Sequence, residues 1–465
     1  MGALYNELAQ QEDPYRNPII LIPGVLGSRL VDRETSAVAW GEFGGGQADP
    51  NSPTGARLIA LPMEPGKPLR ELHDNVRPDG ALDRAVVTFA GIPIELNAYY
   101  NILRSLGVGG YRDQQLAEAG VVDYGGRHFT CFQFAYDWRR DLVESAQALD
   151  RFINERRAFV EQQIEQRYGV KNHDVKFAIV AHSMGGLLAR YYLRYGAADL
   201  PADGSLPEVT WQGARHVEHL VMIGTPNAGS VDSIDSLVNG DRPTFVFPKY
   251  PAAVQGTMPA LYQLLPRGRH RPLLDREGKP IGDLFEPDLW VRNQWGLADP
   301  KQADVLAMLL PEIGDPERRR QIALDHQRKA LRRAKQFTEA MDVPANPPPS
   351  LRLFLVAGDA METAKTMQVD AEERLRVLAT GPGDGRVLRS SALMDERTER
   401  MLGTRLVSPI GWTHTLFLFS DHLAITEDPA FTDNILYFLL ESPRRRPGTQ
   451  IGQGSSARRE RAPNN

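Results

Sequence analysis

Cysteine is nearly absent from this chain of 465 residues: Cys131 stands alone, so no disulfide can form within the chain. Cys131 lies in an apolar run at 129–134, which predicts a buried structural thiol, because thiols buried in apolar surroundings are inert. The chain also lacks a signal peptide pattern and any apolar run of about 18 residues, the length that a membrane-spanning helix needs. These absences favour a reducing compartment, and we expect the cytoplasm, with export by a route that needs no signal peptide left open.

The chain has no excess of basic residues: 54 Lys and Arg stand against 59 Asp and Glu, and the formal net charge is -5. Domains that bind nucleic acids usually carry a strongly basic surface, so the composition argues against a nucleic acid partner. The ten histidines and one cysteine show no cluster with the spacing of metal ligands. We therefore expect neither a metal nor an organic cofactor.

Short apolar runs alternate with helical patterns along most of the chain. Helices are predicted over 142–168 and from Gly185 onward, and strands are predicted at 19–22, 129–134, 175–181, 219–224 and 351–357. Alternation of strands and helices is typical of βαβ units. The sequence therefore predicts an α/β fold with a mostly parallel central sheet flanked by helices.

Two long stretches interrupt this alternation. Residues 40–84 are rich in Gly and Pro and predict an irregular insertion. Residues 230–349 are too long for an ordinary connection between core strands and predict a lid or cap, with a helix over about 316–341. The favoured interpretation of that basic helix is a solvated helix docked by a narrow apolar stripe, and the alternative is a contact with lipid headgroups.

These interruptions divide the chain into five predicted segments. Residues 1–18 form an N-terminal arm, residues 19–229 the first part of the core, and residues 230–349 the cap. Residues 350–442 complete the core. The stretch 443–465 holds six Arg and one Glu without a hydrophobic pattern, which predicts a disordered basic tail.

A serine flanked by small residues follows the predicted strand at 175–181. An apolar strand, a serine and then a helix are the pattern of a nucleophile raised on a strained turn, usually written G-x-S-x-G. Here Ala181 replaces the first glycine and Gly185 keeps the second. The alternative role for Ser183 is a helix cap, but the small residues on both sides favour a nucleophile.

A serine nucleophile needs a histidine to remove its proton and an acid to orient that histidine. Where the serine sits on such a turn, the acid and then the histidine follow it along the chain. His422, between an apolar run and a predicted helix at 432–440, is the preferred base, and His414 is the alternative. Asp384, flanked by glycines, is the preferred acid, and Asp359 is its competitor.

Acyl transfer also needs two N–H groups aimed at the oxygen that becomes negative in the tetrahedral intermediate. We expect one donor at the backbone of Met184, directly after the serine. The other is expected at Val25, in the Pro-Gly turn that ends the first predicted strand. A plain strand-terminating turn is the alternative for Val25, because a backbone donor does not depend on its side chain.

The chain resembles the lecithin:cholesterol acyltransferase family, which includes lysosomal phospholipases, from about residue 19 to 440. The motifs that carry the resemblance occur in the order of that family, and they are Pro23-Gly24-Val25-Leu26-Gly27-Ser28, Ala135-Tyr136-Asp137-Trp138-Arg139, Ala181-His182-Ser183-Met184-Gly185-Gly186, Gly383-Asp384-Gly385 and Asp421-His422-Leu423. The run around Tyr136 is the most specific to the family. Arg386 departs from the family pattern, in which Thr is common.

The resemblance implies an α/β-hydrolase fold with a lid. It implies a triad of Ser183, Asp384 and His422, and an oxyanion hole at the two backbone positions named above. It further implies that Asp137, Trp138 and Arg139 support the site without taking part in the chemistry.

We therefore expect a serine esterase, lipase or O-acyltransferase that cleaves acyl esters through an acyl-enzyme. Its expected partner is an acyl ester, with lipids favoured, and a transient contact with a membrane or lipid surface is part of this hypothesis. A hydrolase of non-lipid esters or amides is an alternative. A catalytically silent binding module on the same fold is another.

Overall fold

The computed structural model describes residues 9, 13–43, 49–82, 84–89, 92–97, 99–242, 248–267, 270, 272–370, 374–398, 401 and 403–441. Its helices are α1 (Pro53–Ile59), α2 (Tyr100–Val108), α3 (Gln114–Glu118), α4 (Leu142–Tyr168), α5 (Met184–Tyr195), α6 (Val231–Asn239), α7 (Ala252–Gln255), α8 (Pro259–Tyr262), α9 (Pro287–Arg292), α10 (Ala303–Leu309), α11 (Pro316–Asp342), α12 (Arg389–Leu393) and α13 (Pro429–Leu436). Its strands are β1 (Ile19–Ile22), β2 (Ser28–Asp32), β3 (Val38–Trp40), β4 (Glu42–Phe43), β5 (Val76–Ala81), β6 (Arg84–Phe89), β7 (Ile92–Asn97), β8 (Cys131–Gln133), β9 (Phe177–His182), β10 (Val217–Ile223), β11 (Leu273–Leu274), β12 (Arg352–Gly358), β13 (Met361–Val369), β14 (Leu375–Gly383) and β15 (His414–Leu418).

A six-stranded sheet forms the centre of the molecule, in the order β15-β12-β10-β9-β1-β8, and each neighbouring pair is parallel. Helices cover both faces. In β1, Ile20 and Ile22 pack in the cluster that includes α4 and α5, while Ile19 and Leu21 pack in the cluster that includes α2 and α13. Burial of both faces explains why the strands are continuous hydrophobic runs. The predicted α/β fold with a parallel sheet is confirmed.

Local signals set the helix ends. Helix α4 has the predicted bounds, because Asp141 caps its first turn by accepting from the Val143 N–H and Gly169 ends it at a φ of 69°. Helix α5 begins at Met184, one residue before the predicted start. The last helix, predicted over 432–440, starts earlier, at Pro429, and gives way to a π-helical turn at Tyr437–Glu441.

Strand β1 has the predicted bounds, and the other predicted strands are shifted or shorter than their apolar runs. The run at 129–134 contributes only Cys131–Gln133 to the sheet. Its cysteine is buried, and burial together with the neighbouring Asp113 carboxyl raises the pKa of the thiol well above its ordinary value. A buried thiol that stays protonated is inert, in agreement with the packing role predicted for Cys131.

The stretch 40–84 has more regular structure than the irregular insertion predicted from its Gly and Pro content. It contains α1, and β5 joins β2 and β3 in a three-stranded antiparallel sheet. Strand β4 pairs with β6 in another small sheet. Residues 44–48 and 83 lie outside the described residues.

The stretch 230–349 holds α6 to α11. Helix α11 covers the predicted 316–341, and the stripe that the sequence indicated is buried, at Ala323, Ala330, Ala334, Phe337 and Met341. On its basic face, Arg333 pairs with Asp141 at 2.6 Å and Lys335 pairs with Glu286 at 2.8 Å. These ion pairs favour the docked helix over the contact with lipid headgroups.

None of the helices in the described part of the chain is both long and apolar enough to cross a membrane. The basic tail predicted at 443–465 lies outside the described residues, as do residues 1–8 and 10–12 of the N-terminal arm.

Candidate active site

Ser183 occupies the turn between β9 and α5, with a φ of 52° and a ψ of -126°. This is a sparsely populated backbone conformation for a residue with a side chain, and it persists where surrounding structure holds it. The Ser183 N–H donates to the carbonyl of Ile223 in β10 at 2.7 Å. The side chain does not cap α5, so the alternative role as a helix cap is not observed.

Small residues around Ser183 let the first turn of α5 approach the chain at the ends of β1 and β10. A Cβ on Gly185 would lie 2.4 Å from the carbonyl oxygen of Pro23, and one on Gly186 would lie 2.0 Å from Oγ1 of Thr225. Neither distance is a permitted contact. Ala181, which replaces the usual first glycine, is fully buried in β9.

The side chains of Ser183, His422 and Asp384 form a hydrogen-bonded series. His422 Nε2 lies 3.0 Å from Ser183 Oγ, and His422 Nδ1 lies 2.8 Å from Asp384 Oδ2. The His422 backbone N–H also donates to the Asp384 carbonyl at 2.8 Å. A carboxylate on Nδ1 leaves Nε2 free to accept the serine hydroxyl proton.

The ionised form of the Asp384 carboxyl is stabilised by its neighbours, although burial disfavours its charge. Burial disfavours the ionised form, but His422 and the N–H groups of Val387 and Arg386 outweigh that cost and hold the pKa of Asp384 below its ordinary value. Oδ1 accepts from Val387 at 2.6 Å and from Arg386 at 3.0 Å. Asp384 therefore remains ionised at neutral pH.

The two alternative residues lie apart from this series. His414 is the first residue of β15, at the amino end of that strand, and is exposed. Ser183 follows the carboxyl end of β9, and in a parallel sheet this is the opposite end of the strands from His414. Asp359 pairs with Arg389 at 3.5 Å. The structure thus brings together Ser183, His422 and Asp384, and leaves His414 and Asp359 out.

Gly224 lies directly beneath the imidazole and the carboxylate. Its φ is +56°, and a Cβ there would lie 3.1 Å from His422 Nδ1 and 3.2 Å from Asp384 Oδ2. A larger residue would therefore press on both partners of this hydrogen bond. The glycine leaves room for the acid and the base to meet.

The turn after β1 lies against the serine. Gly27 N–H donates to the Gly24 carbonyl at 3.1 Å, which makes Val25 and Leu26 the central residues of the turn, and Leu26 has a φ of 63°. A Cβ on Gly24 would lie 2.7 Å from the Cβ of Ser183. Met184 is the first residue of α5, where a helix N–H has no intrahelical partner. The oxyanion roles of Val25 and Met184 stay predictions that this geometry favours.

The run Asp137, Trp138 and Arg139 packs behind that turn. Trp138 Nε1 donates to the Ser28 carbonyl at 3.2 Å. The Arg139 side chain is fully buried and contacts the carboxylates of Asp137 at 2.7 Å and Asp74 at 2.8 Å. Two carboxylates offset the cost of burying the guanidinium and raise its pKa. These contacts suit the supporting role that the resemblance implies.

Ser183 and His422 open into a cavity of about 420 Å³. This volume is in the range of small-molecule sites. Its lining includes apolar side chains, which are Leu26, Trp40, Leu82, Trp138, Met258, Leu261 and Leu264. It also includes polar side chains, which are Ser230, Asp232, Ser233, Ser236, Asp241 and Arg386. In the described part of the chain, no group of three or more His, Cys, Asp or Glu side chains is arranged to hold a metal ion.

Two further residues next to the site were not singled out from the sequence. Tyr99 and His182 are buried and hydrogen-bonded to each other, with Tyr99 Oη 3.1 Å from His182 Nδ1. The position of His182 directly before the serine was a signal that sequence analysis could have used. Tyr99 carries no comparable signal, because its partner is 83 residues away.

Comparisons with known proteins agree with this architecture. Residues 110–277 match the lecithin:cholesterol acyltransferase family, a segment that includes β8, α4, the serine turn and β10. Among solved structures, the chain is similar to one in the crystal structure of the Tle4-Tli4 complex, with a TM-score of 0.57 and 14% identity, over 91% of this chain and 98% of that chain.

Two other solved structures align less closely. The mature form of Bacillus licheniformis lipase BlEst2 has a TM-score of 0.32 and 11% identity, over 93% of this chain and 95% of that chain. Phospholipase PlaB from Legionella pneumophila has a TM-score of 0.32 and 12% identity, over 71% of this chain and 55% of that chain. No curated protein matches the chain significantly.

The resemblance predicted from the motifs is thus confirmed by a sequence match over 110–277 and by the fold of the whole core. This chain has an α/β-hydrolase fold, and its segment 110–277 is similar to the lecithin:cholesterol acyltransferase family.

Proposed function

We propose that this protein is a serine esterase of the lipase or acyltransferase type, which takes an acyl group from a lipid ester onto Ser183. The observation that carries the proposal is the series Ser183 Oγ, His422 and Asp384 Oδ2, with contacts of 3.0 and 2.8 Å, at a cavity whose lining includes many apolar side chains. Lipids are the proposed substrate class because the family that matches residues 110–277 is the lecithin:cholesterol acyltransferase family.

In the first half of the reaction, Ser183 Oγ attacks the carbonyl carbon of the ester while His422 Nε2 takes the hydroxyl proton. The carbonyl oxygen becomes negative, and the N–H groups of Val25 and Met184 stabilise it. Asp384 keeps the His422 proton on Nδ1 and stabilises the imidazolium. His422 then gives its proton to the leaving alkoxide, and an acyl-enzyme and an alcohol result.

In the second half, water attacks the acyl carbon while His422 takes one of its protons. The tetrahedral intermediate collapses, His422 returns the proton to Ser183 Oγ, and a carboxylic acid leaves. An alcohol in place of water gives a new ester by the same steps. Hydrolysis and acyl transfer therefore use one set of residues.

The lining of the cavity contains residues suited to both halves of an ester. An acyl chain that packs on side chains such as Trp40, Trp138 and Leu261 buries apolar surface, which is favourable by about 0.8 kcal/mol for each methylene group. Polar lining residues such as Asp232 can form hydrogen bonds with the alcohol half.

Residues 230–349 are proposed to act as a cap over the site. Helix α6 and the chain near Met258, Leu261 and Leu264 supply lining residues to the cavity. A cap that excludes water strengthens the electrostatic interactions at the reacting atoms. A change in its position on contact with a lipid surface would admit the substrate.

The test is covalent labelling by a fluorescent fluorophosphonate, which forms a bond only with an activated serine. The wild type should be labelled, and Ser183→Ala should not. Ser105→Ala is the control and should also be labelled, because Ser105 is a buried serine distant from Ser183 in the sequence. An unlabelled wild type would favour the silent binding module. Labelling that persists in Ser183→Ala would show that a different serine reacts.

The lipid assignment needs its own measurement. A series of p-nitrophenyl esters with acyl chains of increasing length, beside phospholipid and triacylglycerol, should show a preference for long chains and lipids. A preference for short soluble esters would refute the lipid part and leave the serine chemistry standing.

A further inference from the structure

Two buried side chains outside the triad connect three separate parts of the site. The Gly24 N–H, in the turn after β1, donates to Tyr99 Oη at 2.8 Å. Tyr99 Oη lies 3.1 Å from His182 Nδ1, and His182 Nε2 lies 3.0 Å from the backbone carbonyl oxygen of His422. The series therefore runs from the Val25 turn, beneath the serine, to the loop that carries the base.

The direction of each hydrogen bond follows from the end of the series. A carbonyl oxygen can only accept, so His182 Nε2 must carry a proton. In a neutral imidazole the other nitrogen then accepts, and Tyr99 Oη donates its proton to His182 Nδ1. The lone pairs of Tyr99 Oη remain available for the Gly24 N–H. Every donor and acceptor in the series has a partner.

Electrostatics supports this neutral arrangement. Burial, followed by the proximity of His422, lowers the pKa of His182 to about 3. Burial also raises the pKa of Tyr99. Tyr99 and His422 contact the His182 ring, and the Asp384 carboxylate, which favours a charge on this ring, does not outweigh its burial. The hydrogen bonds therefore set the tautomer of His182, and this tautomer does not change at pH values near neutral.

The backbone of His422 is held on both sides. Its N–H donates to the Asp384 carbonyl at 2.8 Å, and its carbonyl accepts from His182. The rings of His182 and His422 are also in contact, with centroids 4.8 Å apart. A shift of His182 would thus move the base relative to Ser183 Oγ without removing any triad residue.

We propose that Tyr99 and His182 are positioning residues, which hold the base loop and the Val25 turn in register with Ser183. The inference rests on the proposed function, because it gives these two residues a task only if His422 and Val25 serve acyl transfer. Misplacement of a reacting group by about 1 Å can cost on the order of a hundredfold in rate. Loss of the series should therefore lower the rate of the acylation step and leave ground-state binding largely unchanged.

Tyr99→Phe removes one hydroxyl and keeps the ring. Tyr195→Phe is the matched control, because Tyr195 is buried and its hydroxyl donates to the Ala340 carbonyl at 2.7 Å, away from the site. With p-nitrophenyl butyrate, Tyr99→Phe should lower kcat by about tenfold with KM within about twofold. The same variant should show an equal decrease in the second-order rate of fluorophosphonate labelling, and Tyr195→Phe should change neither.

Two substitutions of His182 separate positioning from packing. His182→Gln can place an amide N–H where Nε2 now donates to His422, and it should keep kcat within about fivefold of wild type. His182→Leu fills space but has no donor, and kcat should fall by about a hundredfold. His326→Gln is the control for a buried histidine, since His326 Nε2 lies 2.9 Å from the Thr257 carbonyl oxygen.

The outcomes distinguish this inference from the proposed function. If Ser183→Ala is unlabelled while Tyr99→Phe and His182→Leu react at the wild-type rate per folded molecule, the proposed function stands and the positioning role is wrong. Equal losses in the Tyr99 and Tyr195 variants would also overturn it. Labelling of Ser183→Ala would instead contradict the proposed function itself.

Discussion

Asp384 shows how single residues at this site are tuned by their neighbours. It is almost wholly buried, yet its pKa lies below the ordinary 3.8, because His422 and two backbone N–H groups favour the ionised form. A carboxyl whose pKa is lower in the folded state stabilises the fold above its unfolded pKa. That contribution is lost as the pH falls below about 4 and through the folded pKa.

We predict that Asp384→Asn lowers kcat by about ten-thousandfold, since an amide cannot hold the histidine proton on Nδ1 in the same way. Its unfolding free energy should fall below that of wild type at pH 7, and the difference should shrink as the pH falls below about 4. Denaturation by urea at pH 7 and pH 3 measures this. Asp359→Asn is the control and should keep wild-type kcat; a loss there equal to that of Asp384→Asn would reassign the acid.

At the level of residues, the sequence was sufficient to select candidates for the base, because the chemistry restricts the order of the serine, the acid and the histidine along the chain. The rule that an acid and then a histidine follow the serine excluded the four histidines up to His182, and a position near the carboxyl end of the chain selected His414 and His422 from the remaining six. The series of Tyr99 and His182 could not be found in this way. Its partners are separated by 83 and 240 residues, and Tyr99 has the sequence pattern of an ordinary core residue.

At the level of elements, the strand, turn and helix around the serine depend on Gly185. A Cβ at this position would lie 2.4 Å from the Pro23 carbonyl oxygen and 2.8 Å from the Ile22 carbonyl oxygen, both of them backbone atoms at the end of β1. Backbone cannot rotate away as a side chain can. The end of β1, and with it the turn that carries Val25, would have to move.

We predict that Gly185→Ala lowers the unfolding free energy by about 1–3 kcal/mol, as overpacking does, and slows fluorophosphonate labelling. Gly107→Ala is the matched control, because Gly107 lies in helix α2 and a Cβ added there would meet no atom within 4 Å. It should raise the unfolding free energy by about 0.5–1 kcal/mol, since alanine favours helices over glycine. Equal effects of the two variants in chemical denaturation would contradict this account.

Elements with complete local signals were predictable from the sequence, and others were not. Helix α4 has a regular apolar stripe, a capping Asp141 and a left-handed Gly169, and its predicted bounds are those observed. The antiparallel pair β13 and β14 was not predicted. Between the charged Arg376 and the polar Thr380, β14 has only three successive apolar residues, all of them exposed, a run shorter than those by which the core strands were recognised.

At the scale of the whole molecule, α11 is bound to the core near its middle, where Arg333 pairs with Asp141, and at its C-terminal end. Tyr195 and Arg194 of α5 donate to the carbonyls of Ala340 and Val343. Positive or donor groups at a helix C-terminus satisfy its unpaired carbonyls. The proposed cap therefore has a fixed part in α11, and any movement that admits substrate belongs to other parts of it, such as α6.

The fixed position of α11 can be tested at Arg333, because this residue joins α11 to Asp141 at the start of α4. The Asp141 side chain is only 2% exposed, and removal of one partner from a buried ion pair leaves the other charge uncompensated. We predict that Arg333→Ala lowers the unfolding free energy by about 3 kcal/mol, while Arg332→Ala, at the adjacent exposed position, changes it by less than about 0.5 kcal/mol. The labelling rate per folded molecule should stay at the wild-type value in both variants, since a fixed support contributes to stability and not to opening. A rise in labelling rate in Arg333→Ala alone would show instead that α11 is part of the moving lid and that this ion pair keeps it closed.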